Sequence, residues 1–331
     1  MLKITQRMIA KEAGVSVNTV SRALNNKPDI NPTTRRKILK IAKELGYVPN
    51  LLAKSLKSGE TKTIGVIVSN LFNPFFGPVV YGIDEKIRKK GYSIIICNSD
   101  SDYKREEEAI ATLVKKRVDG ILITPVKRSS LDASFLEKTK IPCVLMMSQF
   151  KAKNFDYVGF DDKMGTFLAT EHLIKKGHKK ILYLSGPPSF SLSQDRLIGY
   201  KRALNKYGIK IEKSLIRSVT PKLEEGYKVV KELLSKKFDF TAIVAFNDYI
   251  ALGAMKAIFE HNLKIPDDIA LVGHDDIEFA SLATVPLTTV RLPKHLLGEK
   301  AAEILLSKMK GQKKKAQHFL LKPELVIRES T

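Results

Sequence analysis

From residue 62 onward the chain alternates short β-branched runs with segments of helical period, and no other feature narrows the possible folds so far. The runs lie at 63 to 68, 93 to 98, 120 to 124, 142 to 147, 180 to 185, 242 to 246 and 269 to 273. Strands separated by helices pair in parallel through right-handed crossovers, so the expected class is α/β. The triplets Lys90-Gly91-Tyr92, Lys176-Gly177-His178 and Tyr207-Gly208-Ile209 place glycine where a helix end needs positive φ. At least seven strands over these 270 residues are too many for one comfortable doubly wound sheet, so two similar lobes are expected, dividing near residue 161. The stretch from Arg291 to Thr331 adds a helix at Lys294 to Lys310 and two short strands, and should cross back between the lobes. Lobe 1 then comprises about 62–161 and 291–322, and lobe 2 about 162–290 and 323–331.

The first 60 residues have a different character. They carry 12 Lys and Arg against 4 acids, a net +8, while the other 271 residues carry 45 against 31, a net +14. Their signals are helical throughout. Thr5 caps a first helix that runs to about Ala13 and stops at Gly14. Ser16 caps a second, Val17 to Leu24, which ends in the turn Asn25-Asn26-Lys27-Pro28. Asn31 followed by Pro32 opens a third, with Ile38, Leu39, Ala42 and Leu45 on one face and Gly46 as its stop. An all-α domain over 1–48 is therefore expected, joined by a hinge and linker at 49–61 to the α/β domain of 62–331.

The formal charge of +22 favours a polyanionic partner, and the first two helices say how it is met. Two short helices meeting at Gly14, with Ala10 and Ala13 at the crossing and Val15, Val20 and Leu24 in the seam, have the pattern of a helix-turn-helix. The exposed face of the second helix shows Val17, Asn18 and Arg22. An apolar group can meet a thymine methyl, an amide can bond adenine bidentately, and a guanidinium can take guanine O6 and N7. Ser16, Thr19, Ser21 and Asn25 are short donors suited to phosphates.

In the motifs Ala13-Gly14-Val15-Ser16, Thr19-Val20-Ser21-Arg22-Ala23-Leu24-Asn25, Leu45-Gly46-Tyr47-Val48-Pro49-Asn50 and Ala53-Lys54-Ser55-Leu56, the sequence resembles the lactose-repressor (LacI/GalR) family of bacterial transcription regulators. The resemblance spans the whole chain. It implies a palindromic double-stranded DNA operator, a homodimer, and a two-lobed sensor like a periplasmic sugar-binding protein. It also implies that Pro49 to Leu56, too short for a stable lone helix, folds against DNA and its dimer mate, with Leu56 wedged into the minor groove. Thr5, Tyr47, Asn50 and Ala53 complete the expected DNA-contacting set.

Ligands of such sheets bind beyond the carboxyl ends of the strands, in the crevice between lobes. By resemblance, Arg196, Asn247 and Asp275 fall where family members hold effector, Asn73-Pro74-Phe75-Phe76 matches the lip of the first lobe, and Phe72 and Phe190 join the expected set. Asp162, Asp248 and Asp276 read instead as helix or turn caps. The run Cys143 to Ser148 is apolar where many relatives carry an acid, and Phe190 stands where some carry a polar group. A sugar or related metabolite is the expected effector; a less polar or aromatic ligand, or a protein co-regulator, is the alternative.

Other classes find less support. The chain has no Gly-x-Gly-x-x-Gly, Walker loop, His-Glu-x-x-His or Gly-x-Ser-x-Gly, so no enzyme motif is present, and no cofactor is expected. Cys97 and Cys143 stand alone without Cys/His spacing for a metal, and the six histidines are scattered and read as structural. Met1 to Met8 has no apolar segment of a secretory leader and no run reaches membrane-spanning length, so a cytoplasmic location without membrane association is expected, where a solute receptor on the same lobes is not.

Overall fold

The computed structural model describes residues 4–48, 59–126, 136, 138–147, 155–236, 239–311 and 315–331. It divides into two compact units, residues 1–61 and 62–331. Asn50, Ala53, Leu56 and Ser148 lie outside the described residues.

The first unit is built from α1 (Gln6–Ala13), α2 (Val17–Leu24) and α3 (Pro32–Glu44). Its core is small: Ile9, Ala10, Ala13, Val20, Ala23, Ile38 and Ala42, with Val15, Leu24 and Tyr47 half-buried against it. Gly14 takes φ +68°, which lets the chain leave α1 in a tight turn. Lys37 reaches across from α3 and donates to the Ala13 carbonyl at the end of α1 (3.0 Å), fixing the angle between them. Ser16 Oγ accepts from the Thr19 amide (3.1 Å) and Asn31 Oδ1 from the Thr33 amide (2.8 Å), so both expected caps form. Thr5 occupies the N-cap of α1 but its side chain makes no capping bond.

The second unit begins with β1 (Thr63–Val68), α4 (Phe76–Arg88), β2 (Ser93–Asn98), α5 (Tyr103–Lys115), β3 (Gly120–Ile123), β4 (Cys143–Met146) and β5 (Asp156–Phe160). It continues through α6 (Asp162–Lys175), β6 (Ile181–Ser185), α7 (Ser191–Lys206), β7 (Ile216–Ser218), α8 (Leu223–Ser235), β8 (Ala242–Ala245), α9 (Asp248–Glu260) and β9 (Ala270–Asp275). It closes with α10 (Glu278–Leu282), β10 (Thr288–Arg291), α11 (Lys294–Met309), β11 (His318–Leu321) and β12 (Glu324–Val326). Two six-stranded sheets result, in the orders β11-β5-β4-β3-β1-β2 and β12-β10-β9-β8-β6-β7. Every pairing is parallel except β10 with β12. The chain passes between sheets three times, after Phe160, after Arg291 and after Leu321. These three connections join the two lobes.

Parallel sheets are covered on both faces, which is why the central strands are uniformly apolar and buried. In lobe 1, α4 and α11 cross so closely that a Cβ on Gly298 would sit 2.0 Å from the Val79 carbonyl oxygen, and one on Gly82 2.3 Å from that of His295. Both glycines are required by backbone proximity.

Candidate DNA-binding face and effector cleft

The face of α2 away from the small core displays Val17, Asn18 and Arg22, while Val20 and Ala23 point inward. The helix period and the Ser16 cap put them there. Thr5 and Ser16 are exposed and Thr19, Ser21 and Tyr47 half-buried. The Asn25 amide folds back to the Ser21 carbonyl (2.8 Å). Arg22 is not free-standing: its Nε donates to Asp29 Oδ2 (2.8 Å), and Nη2 donates to the same oxygen, in the turn before α3. The opposite edge of the guanidinium, bearing Nη1, stays open.

Within residues 62–331 a pocket opens between the lobes. Ser69, Ser101, Thr124 and Met147, each just past a strand of lobe 1, face Phe190 and Leu192 at the start of α7, with Pro125 and Val126 completing the lining. Thr124 Oγ1 is buried and makes no hydrogen bond. Tyr249 on α9 donates to the Phe72 carbonyl (2.9 Å), a tie across the cleft.

Of the expected effector residues, only Phe190 lines this pocket. Arg196, Asn247 and Asp275 come together instead in a buried polar network of lobe 2. The Arg196 guanidinium, 2% exposed as a residue, donates to Asp162 (2.8 Å) and to the Phe246 carbonyl, stands 3.5 Å from Asp275 and lies over the Phe246 ring at 4.6 Å. Burial opposes its charge, but the Asp162 and Asp275 carboxylates outweigh burial and hold its pKa above the ordinary value. Asn247 is the N-cap of α9, accepting from the Ile250 amide (3.0 Å). Asp275 has φ +114°, and its carbonyl and that of Asp276 both accept from Lys294 at the start of α11. Phe75 is in the core of lobe 1, edge-on to Phe76 and Phe160, with Lys294 Nζ 5.9 Å from its ring centre. Asn73 accepts from the Phe75 amide within its own loop, and the Phe72 side chain is 87% exposed.

The three aspartates expected as caps do other work. The cap of α6 is Asp161, which accepts from the Met164 amide (3.0 Å), so that Asp162 is free to pair with Arg196. Asp248 accepts from the Ile277 amide and the Thr289 hydroxyl. Burial and the nearby Asp275 carboxylate push its carboxyl up to about 8. Asp276 is clamped by Arg291 and Arg328, both at 2.7 Å; the two guanidiniums overcome burial and lower its pKa.

Each of the six histidines makes a local structural contact, such as His318 stacked on Tyr157 (4.3 Å). Burial lowers the pKa of His274, so it is neutral beside Arg196. Both cysteines are free thiols, and burial pushes that of Cys143 up to about 12. Among the described residues no group of His, Cys, Asp and Glu could hold a metal, and no helix is long and apolar enough to cross a membrane.

Comparison with known proteins places these features. Residues 7–50 match the family described as bacterial regulatory proteins, lacI family, and residues 61–326 match periplasmic binding proteins and sugar binding domain of LacI family. The HTH-type transcriptional repressor PurR of Photobacterium profundum is 34% identical over 330 residues, covering 98% of each chain. The ribose operon repressor of Haemophilus influenzae is 36% identical, again over 98% of each. Among solved structures, the Lac repressor dimer bound to operator and the anti-inducer ONPF superposes with a TM-score of 0.90 at 31% identity, covering 99% of both chains. The chain therefore belongs to the LacI family of bacterial regulatory proteins and is a DNA-binding transcriptional regulator, not an enzyme.

Proposed function

We propose that the chain is a cytoplasmic, dimeric repressor that recognises an inverted-repeat operator and whose grip is changed by a small molecule in the interlobe pocket. The observation that carries the first half is the exposed triad Val17, Asn18 and Arg22 on a helix capped by Ser16. Two copies related by a twofold axis read two half-sites, because symmetric readers need symmetric DNA. The resemblance gives Leu56 the part of the minor-groove wedge between the half-sites, with Asn50 and Ala53 as further DNA contacts. Selection of binding duplexes from a random pool tests this reading: an inverted repeat is expected, and enrichment of single, unpaired half-sites would refute it.

The pocket sets the chemistry of the effector. Its polar groups are hydroxyls, Ser69, Ser101 and Thr124, while Met147, Phe190 and Leu192 supply apolar walls. Carboxylates and guanidiniums stand apart, engaged with one another in lobe 2. An uncharged ligand with hydroxyls or amides over an apolar ring face fits such a lining, and a sugar or a related metabolite meets that description. Lys294, at the start of α11, donates to the Asp275 carbonyl and so links the two lobes. A ligand acts through its differential affinity for open and closed states, with a coupling of about 1 to 3 kcal/mol. A thermal-shift screen of sugars and nucleobases on the wild type, Thr124→Val and Asp275→Ala tests the site. Thr124→Val should leave stability unchanged or slightly raised, since the lost hydroxyl has no partner, while weakening the ligand about tenfold. A ligand equally tight on all three proteins removes the pocket from the reading. A screen without any ligand favours a protein co-regulator.

A further inference from the structure

The three crossovers between the lobes lie at one border of the sheets. They leave or reach β5 and β11 in lobe 1, and β10, β12 and α6, which packs on those two strands, in lobe 2. The hydrogen bond from Tyr249 to the Phe72 carbonyl spans the lobes at a different place. Phe72 follows β1, three strands beyond β5, and Tyr249 follows β8, two strands beyond β10. At about 4.8 Å per strand, the bond acts about 10 to 14 Å away from the crossovers. Both of its ends are held in place. Asn70 Oδ1 accepts from the Phe72 amide (2.9 Å), Asn98 Oδ1 from the Leu71 amide (3.3 Å) and Asn73 Oδ1 from the Phe75 amide (3.0 Å), so the loop presents the Phe72 carbonyl from a fixed position. Tyr249 is the second residue of α9, whose start is fixed by the Asn247 cap and by the bonds of Asp248 to Ile277 and Thr289. Ser69 of the pocket lining begins the same loop as Phe72, so the bond stands beside the pocket.

We propose that Tyr249 is a clasp: its phenol holds the lobes together on the side away from the crossovers and is the part that lets go when they part. The bond lies at the surface, so water replaces either partner once they separate. A net hydrogen bond of this kind shifts an equilibrium about 2- to 10-fold, enough to bias the lobes toward contact and too little to lock them. A ligand enters and leaves the pocket past this clasp. That consequence rests on the pocket reading above, whereas the clasp itself is measured without any ligand.

The test measures the distance between nitroxide labels on the full chain at positions 104 and 222. Lys104 and Lys222 are exposed, the first on α5 after β2 and the second just before α8 after β7, the strands farthest from the crossovers. K104C/K222C is made with C97S, while Cys143 stays, its buried thiol pushed up to about 12 and unreactive. Excess unlabelled chain is added so that each doubly labelled chain is read alone. One water entering between the hydroxyl and the carbonyl opens the bond by about 3 Å. The labels lie about 19 Å from the crossovers, so the same swing separates them by about 4 to 6 Å. Adding Y249F should raise the population at the longer distance about 2- to 10-fold while the urea midpoint stays unchanged. Y227F removes a phenol that bonds Glu260 and Lys231 within lobe 2, and should leave the distances as they were. An unchanged distribution in Y249F, or the same widening in both variants, overturns the clasp.

Discussion

Arg22 separates recognition from stability within one side chain. Its pair with Asp29 is solvent-exposed, the two side chains retaining 43% and 50% of their accessible surface, and such pairs contribute about 0 to 1 kcal/mol to folding. Arg22→Ala should therefore leave the unfolding midpoint of the first unit nearly unchanged. In the complex the open Nη1 edge of the guanidinium is the one available for guanine O6 and N7, and each good bidentate pairing discriminates by about 1 to 3 kcal/mol. Two copies act in a dimer, so the loss on a full operator should be about 2 to 6 kcal/mol, against about half of that on an operator with one half-site scrambled. Asp29 aims the group, so Asp29→Ala should keep affinity for random DNA and lose part of the discrimination. Gel-shift titration against operators substituted at each position measures both effects, and relaxed preference should appear at one position per half-site. If Arg22→Ala lowered binding to operator and to random duplex equally, with a salt slope shallower by about 1, the side chain would be a phosphate contact and the readout argument would fail.

Three other outcomes can be measured, the first resting on the family resemblance and the other two on the structure. Leu56→Ala should reduce DNA bending in a permuted-site gel-shift while effector affinity stays unchanged, and full bending would remove the wedge. Asp162→Ala leaves a buried guanidinium whose one remaining carboxylate is Asp275 at 3.5 Å, beside the Phe246 carbonyl, so urea unfolding of residues 62–331 should show a loss of about 3 to 5 kcal/mol; a loss under about 1 would mean that Asp275 and the carbonyl suffice. Asp248 holds its proton to about pH 8 when folded, against an ordinary 3.8 when unfolded. Its contribution to stability is thus complete below about pH 4 and is lost as pH rises toward 8, so Asp248→Asn should flatten the stability profile across that window, and an unchanged profile would refute the shifted titration.

The α/β class and the position of the helix-turn-helix were legible because periodicity and caps are local signals. β1 and β2 coincide with the runs 63 to 68 and 93 to 98. β5 and β10 were not read, because Asp156-Tyr157-Val158-Gly159-Phe160 and Thr288-Thr289-Val290-Arg291 are short and mix polar residues into a strand buried by its neighbours. The effector residues divide in the same way. Strand ends marked the cleft, but Thr124 and Leu192 carry no motif, and only the folded arrangement brings them opposite one another. Asp162, Asp248 and Asp276 sit at helix or turn starts, where a cap is the natural reading. Their partners Arg196, Thr289 and Arg328 lie 34, 41 and 52 residues away, a separation that no local pattern encodes.

The three passages between the lobes also set a timetable for synthesis. The edge strand of lobe 1, β11, pairs with β5 through Tyr157 and His318, so it emerges from the ribosome about 160 residues after its neighbour. At about 5 to 20 residues per second, lobe 1 waits roughly 8 to 30 seconds with one border open. Lobe 2 waits as well: β12 closes its edge, and Ser330, fully buried, bonds the Leu271 carbonyl. The helical first unit draws its core from residues 9 to 42 and needs none of this. A nascent chain therefore acquires its reader of DNA well before it acquires a complete sensor, and removal of 318–331 should expose both sheet borders at once while leaving the reader folded.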